Sequence, residues 1–247
     1  MYKRENNTYI HKDSSSILLV SCERYSKRIA RWLYKHGYSS LVLEGEYTLD
    51  QAKDAVKMCH DLGYTYIGFI GYSTGAIYAL AFASVCEDIS LVIGLSSMDR
   101  VFEDLETGKP LIKDLSYQNI PIDRKQRERL LKKYRHIYKE THTIEFYDYS
   151  IAKCENKDAI IPVENINGDI YLFSVVNDNI WGSRQAGQRI YYRLKDKHYR
   201  KHYLHTVYKY GTHKLLPIKI HLEDQESKRT RYSLSRKILS ILKSWNT

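Results

Sequence analysis

The sequence predicts an α/β fold: a mostly parallel, doubly wound sheet with a segment inserted near its middle. Three observations predict it. Short apolar runs bounded by polar residues alternate with amphipathic stretches of helical period, the pattern of a parallel sheet covered by helices. The alternation breaks over residues 99–160, which are polar, charged and poor in period, and then resumes. A strand-like run leads directly into Gly71-Tyr72-Ser73-Thr74-Gly75, and an apolar helix leaves it.

In chain order, Ser16–Ser21 is the first buried strand. Residues 25–36 form an amphipathic helix with Ile29, Trp32, Leu33 and His36 on one face, and Gly37 ends it. Residues 39–44 are the next strand. Thr48 and Gln51 make a capping-box pattern. Ala52, Ala55, Val56, Cys59 and Leu62 mark the apolar face of the helix behind it, and Gly63 stops that helix. A strand over residues 66–70 and a helix over residues 74–86 follow. The helix is apolar almost all round, as deep packing requires. Residues 91–95 form another buried strand. Inside the inserted segment, residues 125–139 read as one helix. The pattern then returns as a strand at Asp169–Val175, a helix over residues 183–195 and a strand over residues 204–210. A closing helix spans residues 232–245, with Leu234, Ile238, Ile241, Leu242 and Trp245 on one face. Residues 1–247 read as a single domain, with residues 99–160 as an inserted cap or lid.

Composition narrows the function classes. At 247 residues and 43% hydrophobic content the chain can bury one sizeable core. A charged fraction of 28% is neither a disordered nor a membrane composition. No apolar run approaches the roughly 20 residues that span a bilayer. Leu19-Val20-Ser21-Cys22 has the look of a lipoprotein cleavage site, but its apolar run is far too short for a signal peptide and follows Asp13 and a serine run. The four cysteines, Cys22, Cys59, Cys86 and Cys154, are widely spread with no C-x-x-C pair, which suggests reduced thiols in a cytoplasmic protein. The net charge of +10 would attract phosphorylated small molecules, nucleic acid or anionic membranes. No nucleic-acid motif accompanies it, so no nucleic-acid partner is expected, and solvated helix faces account for most of the charge. Composition leaves oligomeric state open.

The chemistry centres on residues 71–75. They fit G-x-S-x-G, weak alone but specific between a buried strand and an apolar helix: this is the nucleophile elbow of an α/β-hydrolase. Ser73 is the candidate nucleophile. A serine hydroxyl needs a base within hydrogen-bond reach, oriented by a carboxylate, and in this fold the chain order is Ser, acid, His. Asp178 lies just beyond the strand Asp169–Val175, where sheet sites form, and Asn177 beside it cannot ionise. His213 follows the strand over residues 204–210 in Tyr-Gly-Thr-His. The alternative for His213 is a surface loop histidine. An oxyanion hole needs two backbone N–H groups. Thr74 should supply one, and the turn after Ser16–Ser21 the other, through Cys22 or Glu23. Hydrolases often place glycines in that turn, and Ser21-Cys22-Glu23-Arg24 has none. Tyr72, Trp181 and Arg184 border these positions and are candidate substrate contacts. His198, His202 and His205 are read as linker histidines rather than metal ligands, because no carboxylate or cysteine lies beside them. Neither a metal nor a cofactor is expected.

Residues 159–169, Ala-Ile-Ile-Pro-Val-Glu-Asn-Ile-Asn-Gly-Asp, are similar to the Ile-Pro-Val-Glu-Lys-Ile-x-Gly run of the bile-acid-CoA:amino-acid N-acyltransferase and acyl-CoA thioesterase family. The similarity continues through Asn177-Asp178-Asn179-Ile180-Trp181-Gly182-Ser183 and Arg193-Leu194-Lys195, and ends at Gly211-Thr212-His213. It spans roughly residues 17–216. The resemblance implies Ser73, Asp178 and His213 as the triad and an acyl-CoA as substrate. The larger animal members carry an N-terminal β-sandwich that has no counterpart in this sequence, and the strands that usually precede the first one here are reduced. Members that transfer acyl groups to amino acids use a cysteine nucleophile, so the serine implies water as acceptor.

The leading expectation is therefore hydrolysis of an acyl ester or thioester, such as an acyl-CoA, through an acyl-serine intermediate. The alternatives are a carboxylesterase or dienelactone-hydrolase-like enzyme acting on small esters, and a catalytically silent hydrolase fold used for binding.

Overall fold

The computed structural model describes residues 7–11, 14–104, 108–115, 120, 125, 128, 129, 144–153, 159–220 and 223–245. Its strands are β1 (Thr8–Tyr9), β2 (Ser16–Ser21), β3 (Ser39–Val42), β4 (Tyr47–Thr48), β5 (Tyr66–Tyr72), β6 (Ile89–Leu95), β7 (Ile112–Lys113), β8 (Asp169–Val175) and β9 (Tyr203–Tyr208). Its helices are α1 (Ser26–Lys35), α2 (Leu49–Asp61), α3 (Thr74–Ala83), α4 (Ile144–Lys153), α5 (Ser183–Asp196) and α6 (Gln225–Trp245). Seven strands form one sheet in the order β1-β3-β2-β5-β6-β8-β9. Every pairing in it is parallel except that of β1 with β3.

The alternation of side chains along the strands divides the core in two. Ile17 and Leu19 of β2 join one apolar cluster with Ala52 and Val56 of α2, most of α3, and Ile190 and Leu194 of α5. Leu18 and Val20, one residue out of step, join the other with Ile29 and Leu33 of α1 and Leu234, Ile238 and Leu242 of α6. Helices thus cover both faces, which explains why the central strands read as continuous apolar runs rather than alternating ones. From β2 the chain runs to β3 on one side, and from β5 it runs to β6 on the other. The carboxyl ends of β2 and β5 are therefore the point where strand order reverses, the crevice where open α/β sheets place their ligands.

The elements differ from the sequence expectations mainly at their ends. Thr48 caps α2, its hydroxyl accepting from the Gln51 N–H at 3.0 Å, but the Gln51 amide turns to the Glu44 carbonyl instead of closing the capping box. The last helix begins at Gln225, seven residues before the expected start at Tyr232, and its first turn is held by Asp224, which accepts from the Ser227 N–H at 2.6 Å. In the stretch 99–160 the described residues include β7, paired with β4, and α4. The helix expected over residues 125–139 falls outside the described residues at all but three positions. Among the described residues no helix is long and apolar enough to cross a membrane.

Candidate active site

β5 ends at Tyr72 and α3 begins at Thr74, so a single residue turns the chain between them. That residue, Ser73, has φ 57° and ψ −124°, a conformation that a residue with a side chain holds only when its surroundings enforce it. Two contacts enforce it here. The Ser73 N–H donates to the Leu95 carbonyl at 2.9 Å, and the Ser73 carbonyl accepts from the Ala76 N–H at 3.0 Å. The two glycines of the elbow are steric requirements. A Cβ on Gly71 would lie 2.2 Å from the Gly75 carbonyl oxygen, and one on Gly75 would lie 1.9 Å from the Ser21 carbonyl oxygen. Neither neighbour can yield, because both are backbone. Gly75→Ala is accordingly expected to destabilise the fold by about 3 kcal/mol, the upper end for overpacking. Denaturant titration measures this, and an unchanged midpoint would refute it.

The structure brings Ser73, His213 and Asp178 together from three separate loops. His213 Nε2 lies 3.0 Å from Ser73 Oγ, and His213 Nδ1 lies 2.9 Å and 3.0 Å from the two Asp178 carboxylate oxygens. All three side chains are buried. The acid turn is built around the carboxylate: Asp178 Oδ1 accepts from the Ile180 and Trp181 N–H groups at 3.0 and 3.3 Å, and Oδ2 accepts from the Ser183 hydroxyl at 2.5 Å. His213 is fixed from behind as well. The Ser96 hydroxyl donates to its carbonyl at 2.9 Å, and the Trp181 indole packs edge-on against its ring with centroids 5.0 Å apart. The Trp181 indole Nε1–H donates in turn to the Ser96 carbonyl at 2.9 Å. Sequence reasoning missed both Ser96 and Ser183. Ser183 does lie at the end of the Trp-Gly-Ser run that carries the family resemblance, which was the available signal.

At the oxyanion turn the structure separates two candidates. The Cys22 N–H donates to Ser26 Oγ at 2.8 Å and is thereby engaged within its own turn, which corrects the expectation that it could face a ligand. Glu23 follows with a φ of 49°, and it is the other candidate that the turn offers. Thr74 opens α3, where unpaired N–H groups and the helix dipole favour negative charge. The Cys22 thiol is fully buried, and burial pushes its pKa well above the usual thiol range.

The three expected substrate contacts are placed differently. Tyr72 is buried, its ring 5.5 Å from that of His213 and 6.1 Å from that of Tyr25. Trp181 is buried too, clamped between His213 and Tyr147 of α4. Arg184 is exposed on the first turn of α5, and its charge bears on His205. His205 is not an exposed linker residue: it sits on β9, accepts from or donates to Ser174 Oγ at 2.8 Å, and has its pKa pushed down to about 4 by burial first and then by Arg184. Among the described residues no group of histidines, cysteines and carboxylates could hold a metal ion. A cavity of about 380 Å³ opens on the His213 side, lined by Tyr72, His213, Leu215, Leu216, Ile220 and Arg231 among others.

A parallel sheet wrapped by helices, with a serine at a strained strand-to-helix turn beside a histidine and a carboxylate, defines the molecule as an α/β-hydrolase. Residues 50–219 match the model of the BAAT / acyl-CoA thioester hydrolase C-terminal family. The chain belongs to that family, and it is an enzyme of the α/β-hydrolase class. Among solved structures it is similar to the Pyrococcus furiosus esterase Pf2001, at 17% identity and a TM-score of 0.59 over 97% of this chain and 87% of that one. It is also similar to MGS-M1, an α/β-hydrolase enzyme from a Medee basin deep-sea metagenome library, at 15% identity and a TM-score of 0.53 over 91% of this chain and 83% of that one. At these identities the likeness is one of fold. No curated protein sequence matches the chain.

Proposed function

We propose that the protein is a serine hydrolase that cleaves an acyl ester or thioester through an acyl-Ser73 intermediate. The observation that carries this reading is the continuous hydrogen-bonded chain Ser73 Oγ, His213, Asp178 at the elbow. As Ser73 Oγ attacks the carbonyl carbon, His213 Nε2 takes its proton, while the Nδ1–H of the ring remains donated to Asp178. The Thr74 and Glu23 N–H groups stabilise the oxyanion that develops. His213 then hands the proton to the leaving oxygen or sulfur, and water repeats the sequence to free Ser73. The leaving group departs on the side of His213 Nε2.

An acyl-CoA is the thioester to which the family points. Its phosphates require uncompensated cations, and two arginines of α5 are already engaged. Arg189 is engaged with Asp99 at 2.7 Å through two nitrogens, and Arg193 is engaged with Glu164. Those pairings favour the second reading, a carboxylesterase for small uncharged esters. We place the stretch 99–160 as a lid in either case, since Tyr147 of α4 reaches Trp181 at 5.4 Å between ring centroids.

One set of measurements tests both levels. A fluorophosphonate probe should label the protein, with the adduct on the peptide containing Ser73. Absence of labelling would favour the silent fold. If the substrate is an acyl-CoA, its turnover should fall with added salt more steeply than turnover of a neutral ester with the same acyl group, because contacts to phosphate are screened. Arg184→Glu should then raise KM for the CoA substrate alone. Equal salt dependence would select the carboxylesterase.

A further inference from the structure

We infer that Glu23 makes the site selective for substrates whose acyl part carries an ammonium group close to the scissile carbonyl. This deepens the acyl-Ser73 reading and rests on it. Glu23 occupies the oxyanion turn, so its backbone N–H and its carboxylate belong to the same few ångströms of the site. The carboxylate is tied there: Thr74 Oγ1 donates to Glu23 Oε1 at 3.2 Å, and the Tyr47 hydroxyl lies 3.4 Å from the same Thr74 oxygen. The side chain of the residue next to the nucleophile thus holds a carboxylate at the site.

Two facts leave that carboxylate without a direct ion pair among the described residues. Glu23 is exposed and makes no ion pair among the described residues. Its neighbour Arg24 turns to Tyr25, donating to the phenol oxygen at 2.9 Å with its guanidinium 5.0 Å from the ring centre. A fixed negative charge beside the oxyanion donors opposes the negative charge that develops in acyl transfer, since like charges at short range disfavour one another. Such a residue is a handicap for a neutral substrate. It becomes an asset for a substrate that brings a cation of its own.

Geometry says which part of the substrate carries it. His213 must face the leaving atom to protonate it, so the acyl chain extends to the opposite side of the carbonyl carbon. Glu23, Thr74 and Tyr47 are joined through the Thr74 hydroxyl at the oxyanion turn, and we place the acyl chain against them. Tyr47 adds a hydroxyl acceptor, and its ring is held by stacking on Tyr78 at 4.8 Å. The chemical class is an α- or β-aminoacyl ester or thioester.

The test compares p-nitrophenyl esters of 3-aminopropanoic and butanoic acid, which differ chiefly by an ammonium in place of a methyl group. The full chain, its Glu23→Gln and Glu23→Asp variants and Ser73→Ala are assayed, with spontaneous hydrolysis subtracted. Glu23→Gln should lower the ratio of kcat/KM for the ammonium ester over the neutral one by about 10- to 100-fold, the worth of a hydrogen bond to a charged group. Part of the change should appear as faster turnover of the butanoyl ester, which a merely structural role would not give. Glu23→Asp should keep the sign of the preference. A ratio unmoved by Glu23→Gln, or a parallel fall for both esters, would overturn the inference about Glu23 while Ser73-dependent turnover left the hydrolase reading standing. Absence of turnover of either ester by the unmodified protein would overturn both.

Discussion

Ser73→Ala is expected to reduce ester turnover about a millionfold, the loss found when the nucleophile of such a triad is removed. The alanine keeps the Cβ that the elbow already accommodates at φ 57°, so the fold should be retained and the loss should lie in chemistry. No neighbouring group can replace the hydroxyl. The Cys22 thiol is fully buried and held protonated by that burial. The Ser96 hydroxyl is engaged in donating to the His213 carbonyl. What should remain is the contribution of the oxyanion donors and of substrate binding, on the order of 10³–10⁴ over water. Mass spectrometry supplies the second readout: a slowly deacylating ester should leave an acyl mass on the peptide containing Ser73 and none in the variant. Near-normal turnover by Ser73→Ala would remove the serine mechanism altogether.

The parts of the fold that were legible in the sequence are those where burial imposes a period. β2 and β8 have the bounds that their apolar runs and polar flanks predict, and α3 was recognisable because it is buried on every side. The elbow was legible for a steric reason, since Gly71 and Gly75 each meet backbone within 2.2 Å of where a Cβ would stand. The proximity of Asp178 and His213 to Ser73 followed from chain order at strand ends. The beginning of α6 was not legible, because Gln225 to Arg231 carry no apolar stripe and are held by the Asp224 cap. Nor was α4, whose ten residues lie in a stretch without regular period. Side-chain-to-backbone contacts escaped in the same way. Whether Cys22 or Glu23 offers an N–H depends on Ser26, four residues on, rotating its hydroxyl toward Cys22. Arg184 is read from its position after the acid turn; it is exposed on the first turn of α5, and its charge reaches His205.

Asp178→Asn is expected to lower kcat about 10⁴-fold with little change in KM, as in the corresponding substitution of a serine-protease triad. The carboxylate of Asp178 serves as acceptor to four donors: two backbone N–H groups, the Ser183 hydroxyl and His213 Nδ1. An asparagine has one acceptor oxygen and one donor group of similar shape. If its oxygen stays with the Ile180 and Trp181 N–H groups, its NH₂ confronts Ser183 and His213. The Ser183 hydroxyl can rotate to accept. His213 Nδ1 lies 2.9 Å from the retained oxygen position and 3.0 Å from the NH₂ position, and the amide donor now favours a bare Nδ1, which places the ring proton on Nε2, facing Ser73. The ring then has no lone pair with which to take the serine proton, although every heavy atom is in place. The opposite amide orientation is worse, since it sets an NH₂ against two backbone N–H groups in a buried turn. The expected structure is therefore unchanged, the chain of contacts Ser73, His213, residue 178 is retained, and the rate is lost through the tautomer. An imidazole ¹⁵N spectrum distinguishes the two tautomers directly. A proton found on Nδ1 in the variant, or a kcat within tenfold of the unmodified enzyme, would mean that Asp178 orients the ring without selecting its proton.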